Sequence, residues 1–250
     1  MSGHSKWANI KHKKEAADKA KGKMFSRVGK EIMVAAKNGG ADPNTNPALR
    51  AALTAAKAVN MPNANIDRAI KKGIGELGDV VFEEIMYEGY GAGGVAVIVD
   101  CLTDNRNRSI SEVRMAFERN NGNLAASGAV SRMFKRQAHF IITGEWADEE
   151  KLMDIVLDAG ANDLIVEDGE AEIWADTENF EALVKVFEAN NIPTDTAELT
   201  RRPEMTVNLT DPKVASQVLR MLDKLEDIDD VQNVTANYII DDSIADQIEE

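Results

Sequence analysis

The sequence predicts an α+β protein: an amino-terminal three-helix domain followed by two α/β domains, one ferredoxin-like and inserted into the other. Three observations carry this prediction. After a basic arm, apolar residues recur at helical spacing from Phe25 to about residue 72. From 138 to 201 the pattern reads strand, helix, strand, strand, helix, strand, the order of a split βαβ domain. The segment after it is too short to hold a core alone and 80–136 is an incomplete sheet, so the two are expected to complete one another. The expected boundaries are 1–75 for the basic arm and helices, 79–137 with 203–240 for the discontinuous domain, 138–202 for the insert and 241–250 for an acidic, loosely held tail.

Taken in order, Phe25, Val28, Ile32, Met33 and Ala36 mark one face of a first helix, ended by Asn38-Gly39-Gly40. A second opens with Asn46 as N-cap and Pro47 in its first turn, carrying Leu49, Leu53 and Ala56 on one side. After Asn60-Met61-Pro62 a third runs from about 63 to 72, stopped by Gly73. Residues 73–78 read as a hinge. Strands at 80–87 and 95–102 follow, then a helix over 109–119 with Ser109 and Glu112 in a capping-box pattern.

In the insert, strands at 139–143, 164–167, 172–175 and 194–199 alternate with helices over 148–159 and 178–189. The helices repeat one face, Leu152/Ile155/Val156/Ala159 and Phe180/Leu183/Val184/Phe187, and Asp168-Gly169 signals a tight hairpin. The last segment reads as a strand at 205–209, a Pro212-initiated helix and one strand over 231–239.

Charge is divided along the chain. Residues 1–75 hold 15 of the 29 Lys/Arg and 5 of the 43 Asp/Glu, net +10, leaving net −24 for the remainder. A dense cationic segment is the footprint of a phosphate-binding surface, and the acidic remainder limits how the molecule lies on a polyanion. No apolar run approaches the eighteen or so residues of a membrane helix, and the opening MSGHSKWANIKHKK resembles no signal peptide, so a cytoplasmic protein without membrane contact is expected. The single Cys101 excludes an internal disulfide and reads as a buried thiol.

Catalytic and cofactor chemistry has little material. There is no Walker A sequence, no cysteine pair and only His4, His12 and His139, so no enzyme activity, metal site or cofactor is expected. Gly89 to Gly94 matches G-x-G-x-x-G, but a β run follows it where a dinucleotide site needs a helix; a glycine-rich turn between strands explains it better. Asp227, Asp229 and Asp230 could hold a hard cation, and solvated acids at a helix end are the favoured reading.

The arm is more specific. Lys6, Lys11, Lys13, Lys14, Lys19, Lys21 and Lys23 supply phosphate ligands; Trp7 offers an aromatic plane for stacking or an anchor onto the helices; Asn9 can read a base edge, and His12 belongs to the same nucleic-acid-binding set. Lys30, Arg50, Arg68, Lys71 and Lys72 extend the cationic surface onto the helices. A second candidate patch, Asn105-Arg106-Asn107-Arg108, lies where a strand hands over to a helix; its arginines either bind an anion there or pair with neighbouring carboxylates.

Gly3 to His12 (GHSKWANIKH), Asn60-Met61-Pro62, 66–73 (IDRAIKKG), 87–91 (YEGYG) and 103–108 (TDNRNR) together resemble the YebC/PmpR proteins, a family that includes the mitochondrial translational activator of cytochrome c oxidase subunit one. The resemblance implies a helical amino-terminal domain plus two α/β domains. It implies a regulator of gene expression, either DNA-binding and transcriptional or acting at the ribosome. No helix carries a base-reading row beyond Lys and Arg and no heptad seam suggests a dimer, which favours a monomer binding ribosomal RNA, with contacts to ribosomal proteins, over a duplex reader. An adaptor whose acidic domains dock on basic proteins is the lower alternative.

Overall fold

The computed structural model describes residues 17–78 and 81–248, which divide into two units: 132–206, and the stretches that flank it. The flanking unit opens with α1 (Ala17–Gly39), α2 (Pro47–Ala58) and α3 (Asn63–Gly73). Val28, Ile32, Ala35 and Ala36 of α1 pack on Leu49, Ala52 and Ala56 of α2 and on Met61, Ile66 and Ala69. Asn46 does more than cap α2. Its Oδ1 accepts from the Leu49 amide at 3.1 Å, while its Nδ2 donates to the Ala35 and Gly40 carbonyls, both at 2.8 Å, closing the end of α1.

Gly73 closes α3, as expected, and has a second part. A Cβ there would lie 2.4 Å from the Met33 carbonyl oxygen and 2.9 Å from the Ala36 Cβ, so its bare backbone sets the approach of α3 to α1. Because a main-chain atom cannot step aside, Gly73→Ala is expected to cost about 1–3 kcal/mol despite alanine's better helix propensity. Thermal denaturation checks this; an unchanged or raised Tm refutes it.

Strands β1 (Glu83–Tyr90) and β2 (Ala96–Thr103) form an antiparallel hairpin. With β3 (Asn123–Leu124) and β9 (Val231–Ala236) they build a sheet in the order β3-β1-β2-β9. The flanking halves thus complete one another, as expected. Helices α4 (Arg106–Glu118) and α7 (Pro212–Glu226) share the core, with Val113, Phe117, Val218 and Met221 buried among β2 residues. The glycine run is the turn of this hairpin: a Cβ on Gly89 would meet the Phe117 ring at 2.6 Å, and one on Gly91 the Met221 methyl at 2.6 Å.

Three local expectations change. Helix α4 starts earlier, capped by Asn105, whose Oδ1 accepts from the Arg108 amide at 3.1 Å; Ser109 is inside the helix and fully buried. The strand expected over 231–239 breaks at Asn237, whose Oδ1 accepts from the Ala96 amide at 2.7 Å. Beyond the break, β10 (Tyr238–Ile240) runs parallel to β8 (Val207–Leu209) in a separate two-stranded sheet. The expected loose tail is ordered through 248: Asp242–Gln247 is a 3₁₀ turn, and Ile244 is buried in the core with Ile248 against it.

The other unit contains β4 (Phe134–Thr143), α5 (Glu149–Asp158), β5 (Ala161–Glu167), β6 (Glu170–Asp176), α6 (Phe180–Ala189) and β7 (Thr196–Pro203). Its antiparallel sheet, in the order β5-β6-β4-β7, is ferredoxin-like. Leu152, Val156, Leu183 and Phe187 bury the two helices against Phe140 and Ile173. Asp168 and Gly169, at φ 51° and 80°, make the two-residue turn. On the sheet's other face His139 stacks on Trp174 at 4.1 Å, and its Nε2 lies 3.0 Å from Glu172.

Candidate nucleic-acid interface

One face of α1 carries Lys23, Arg27 and Lys30, spaced i, i+4 and i+7. All three meet the carboxyl end of α7 and the turn after it. Lys23 pairs with Asp227, and Arg27 donates to the Glu226 carbonyl at 2.7 Å. Lys30 Nζ donates to the Asp230 carboxylate at 2.8 Å and to the Asp229 and Leu102 carbonyls at 2.9 and 3.2 Å. A helix carboxyl end presents unsatisfied carbonyls and a partial negative charge, so cations are stabilised there.

Asp230 is the centre of this contact. Its side chain is 2% exposed and accepts from Lys30, from Arg108 at 2.7 Å, from Ser109 at 2.8 Å and from Thr103 at 2.9 Å. Burial pushes its carboxyl up, but the hydrogen bonds from Lys30, Arg108, Ser109 and Thr103 outweigh it and hold the group down at about 2. The expected solvated acid is instead a buried anchor. Lys23 and Lys30, expected as phosphate ligands, are bound to carboxylates within the fold, and Arg108 takes the second of its two expected roles, pairing with Asp230 and Asp104. Hydrogen bonds from Arg108 to Asp230 and then to Asp104 raise its already high pKa.

The rest of the second candidate patch divides. Asn105 is occupied as the N-cap of α4, while Arg106 and Asn107 are exposed on its first turn. Cys101 is buried, and burial, followed by the charges of Asp230 and Asp100, pushes its thiol up to about 12, which leaves it without nucleophilic character at neutral pH. Among the described residues no group of three or more His, Cys, Asp or Glu is placed to hold a metal ion.

The cations of α2 and α3 are arranged differently. Arg50 is exposed and donates to the Pro43 carbonyl at 3.0 Å, with no ion pair among the described residues. Arg68 and Lys71 are exposed, Lys72 is half-buried, and none of the three forms an ion pair among the described residues. Lys19 and Lys21 fall in the opening turns of α1. Lys6, Trp7, Asn9, Lys11, His12, Lys13 and Lys14 lie outside the described residues.

Beside these cations runs a groove of about 1090 Å³ between α1 and α3 on one side and α4 on the other. Phe25, Met33 and Met61 line the first wall, Met115 and Ala116 the second, and Phe82 enters from the segment before β1. Arg119, just past the end of α4, lies along it and was not singled out in the sequence; only its place eleven residues after Arg108 on the same helical face could have pointed there.

The fold is thus a helical head on a discontinuous α/β body with a ferredoxin-like insert. Residues 5–76 match the TACO1/YebC protein N-terminal domain, and 82–238 match the TACO1/YebC second and third domain. The chain is 52% identical over 248 residues to a probable transcriptional regulatory protein of Syntrophobacter fumaroxidans, covering 99% of this chain and 100% of that one. It is 51% identical over 240 residues to another from Geobacter sulfurreducens, 96% of each. A solved structure of a conserved hypothetical protein from Aquifex aeolicus superposes with a TM-score of 0.85 at 44% identity, covering 96% of this chain and 99% of that one. The chain belongs to the TACO1/YebC family, as the motifs implied. No described helix is long and apolar enough to cross a membrane.

Proposed function

We propose that this protein is a non-enzymatic regulator of gene expression that binds nucleic acid through its amino-terminal 75 residues, with ribosomal RNA as the target and translation as the process. The observation that carries this reading is the net +10 of that segment against the net −24 of the remainder. Such a molecule is drawn to a polyanion by one end and repelled along the rest, which suits insertion of the head into an RNA cleft. Lys6, Lys11, Lys13, Lys14, Arg50, Arg68, Lys71 and Lys72 supply phosphate contacts and Trp7 a stacking plane; Arg106 and Asn107 remain a second contact. The same attraction lets the head bind DNA at low salt. The names of the Syntrophobacter and Geobacter relatives, both probable transcriptional regulatory proteins, favour that second, transcriptional reading.

Binding of labelled protein to purified ribosomes at about 150 mM salt, with duplex DNA at equal phosphate as competitor, tests the two against each other. Retention on ribosomes despite the DNA, and loss of at least about tenfold in affinity in the Lys11, Lys13, Lys14→Ala variant, is the expected result. Displacement by DNA with no preference for ribosomes would return the protein to transcription. Partner capture unchanged after deletion of 1–75 would make it an adaptor instead.

A further inference from the structure

The groove beside the head has two facing walls of similar chemistry. On α3, Asn65, Arg68 and Lys72 stand at i, i+3 and i+7 and so share one face; on the other side Met115, Arg119 and Asn120 line it. Of its acids, Asp227, Asp230 and Asp104 already pair with lysine or arginine. That leaves Arg68, Lys72 and Arg119 against Glu112 and Asp229, a cationic balance inside a body that is otherwise strongly acidic.

The remaining surface is aromatic and amide. Phe25 and Phe82 line the groove and neither is buried, so each can still cover a flat partner. Asn120 Nδ2 donates to the Ala116 carbonyl at 2.8 Å, which leaves its Oδ1 to accept from a ligand. Cations for phosphates, rings for base faces and amides for base edges are together the requirements of an unpaired nucleic-acid strand. A duplex hides its base faces in its own stack, so it could offer this groove phosphates and groove edges but no face for Phe25 or Phe82.

We infer that the groove takes a single-stranded stretch of nucleic acid, with bases against Phe25 and Phe82 and phosphates on Arg68, Lys72 and Arg119. This rests on the function proposed above and gives it a site outside the arm, on a helix of the α/β body. Arg119 is the discriminating residue. It is exposed, follows the last turn of α4 and forms no ion pair among the described residues, so its replacement leaves the fold intact.

The test uses the full chain at about 150 mM salt with two probes: a single-stranded RNA of about twelve nucleotides containing 2-aminopurine, and a DNA duplex of the same length. Arg119→Glu should weaken the single strand about tenfold, lower its salt slope by about 0.7 and leave the duplex within about twofold. Phe82→Ala should reduce the quenching of 2-aminopurine on binding. Equal loss for both probes, or no change in Arg119→Glu while Lys71→Glu weakens both, would overturn the groove and leave the basic head standing. Absence of binding to either probe would remove the head reading as well. Displacement of the strand by an acidic peptide as readily as by unlabelled RNA would also overturn the inference, in favour of a peptide groove.

Discussion

Asp230→Ala is expected to destabilise the protein by about 3 kcal/mol or more, the range for breaking a buried ion pair by removing one partner. The substitution strips Lys30 and Arg108 of their shared carboxylate and leaves the buried Thr103 and Ser109 hydroxyls without it. It also removes the link through which α1, the strand end at Thr103 and the start of α4 converge on the turn after α7. Chemical denaturation measures the cost; a difference below about 1 kcal/mol would show that the pair's attraction barely exceeds its desolvation.

The same residue predicts a pH dependence with a definite sign. Its folded carboxyl titrates at about 2, below the roughly 3.9 of an unfolded aspartate. The stabilisation is therefore fully present above about pH 4 and is lost as pH falls through about 2, amounting to about 2 kcal/mol. The gap between parent and Asp230→Ala should narrow by that amount between pH 5 and pH 2. A constant gap would mean that Asp230 acts through packing alone.

Affinity for ribosomal RNA should fall roughly a thousandfold, about 4 kcal/mol, between 50 and 200 mM salt if about six phosphates are neutralised. The slope counts only cations free to take a phosphate. Lys23, Arg27 and Lys30 are held by the end of α7 and the turn beyond it, so the response should come from the arm, α2 and α3. Partly buried pairs are screened less than exposed ones, and the Lys30–Asp230 contact should persist across this range. A flat salt response would defeat the phosphate-binding mechanism, whichever nucleic acid is used.

Local chemistry explains which parts of the fold were legible in the sequence. The insert was readable because its helices repeat one apolar face and Asp168-Gly169 can hardly be anything but a tight turn. The start of α4 was misread because Ser109 and Glu112 satisfy a capping box, whereas Asn105 serves and Ser109 is recruited by a carboxylate 121 residues away. The break at Asn237 was hidden for a similar reason: its partner is the Ala96 amide, 141 residues distant. Periodicity reports a residue's neighbours along the chain and is silent about partners across it. Lys23 and Lys30 therefore looked like free cations, and nothing near Asp230 in sequence distinguishes it from the exposed Asp229 or Asp227.

The insert begins and ends on neighbouring strands, since Phe134 and Pro203 are register partners at the edges of β4 and β7. The polypeptide thus leaves the host domain and returns to it through a doorway one strand wide. To the host, some seventy residues amount to a long surface loop, and the entropy of closing a loop grows only with the logarithm of its length. The insert has its own core, independent of the host's. One pair of adjacent strand ends therefore carries both chain crossings between a host and an insert that each bury a core of their own.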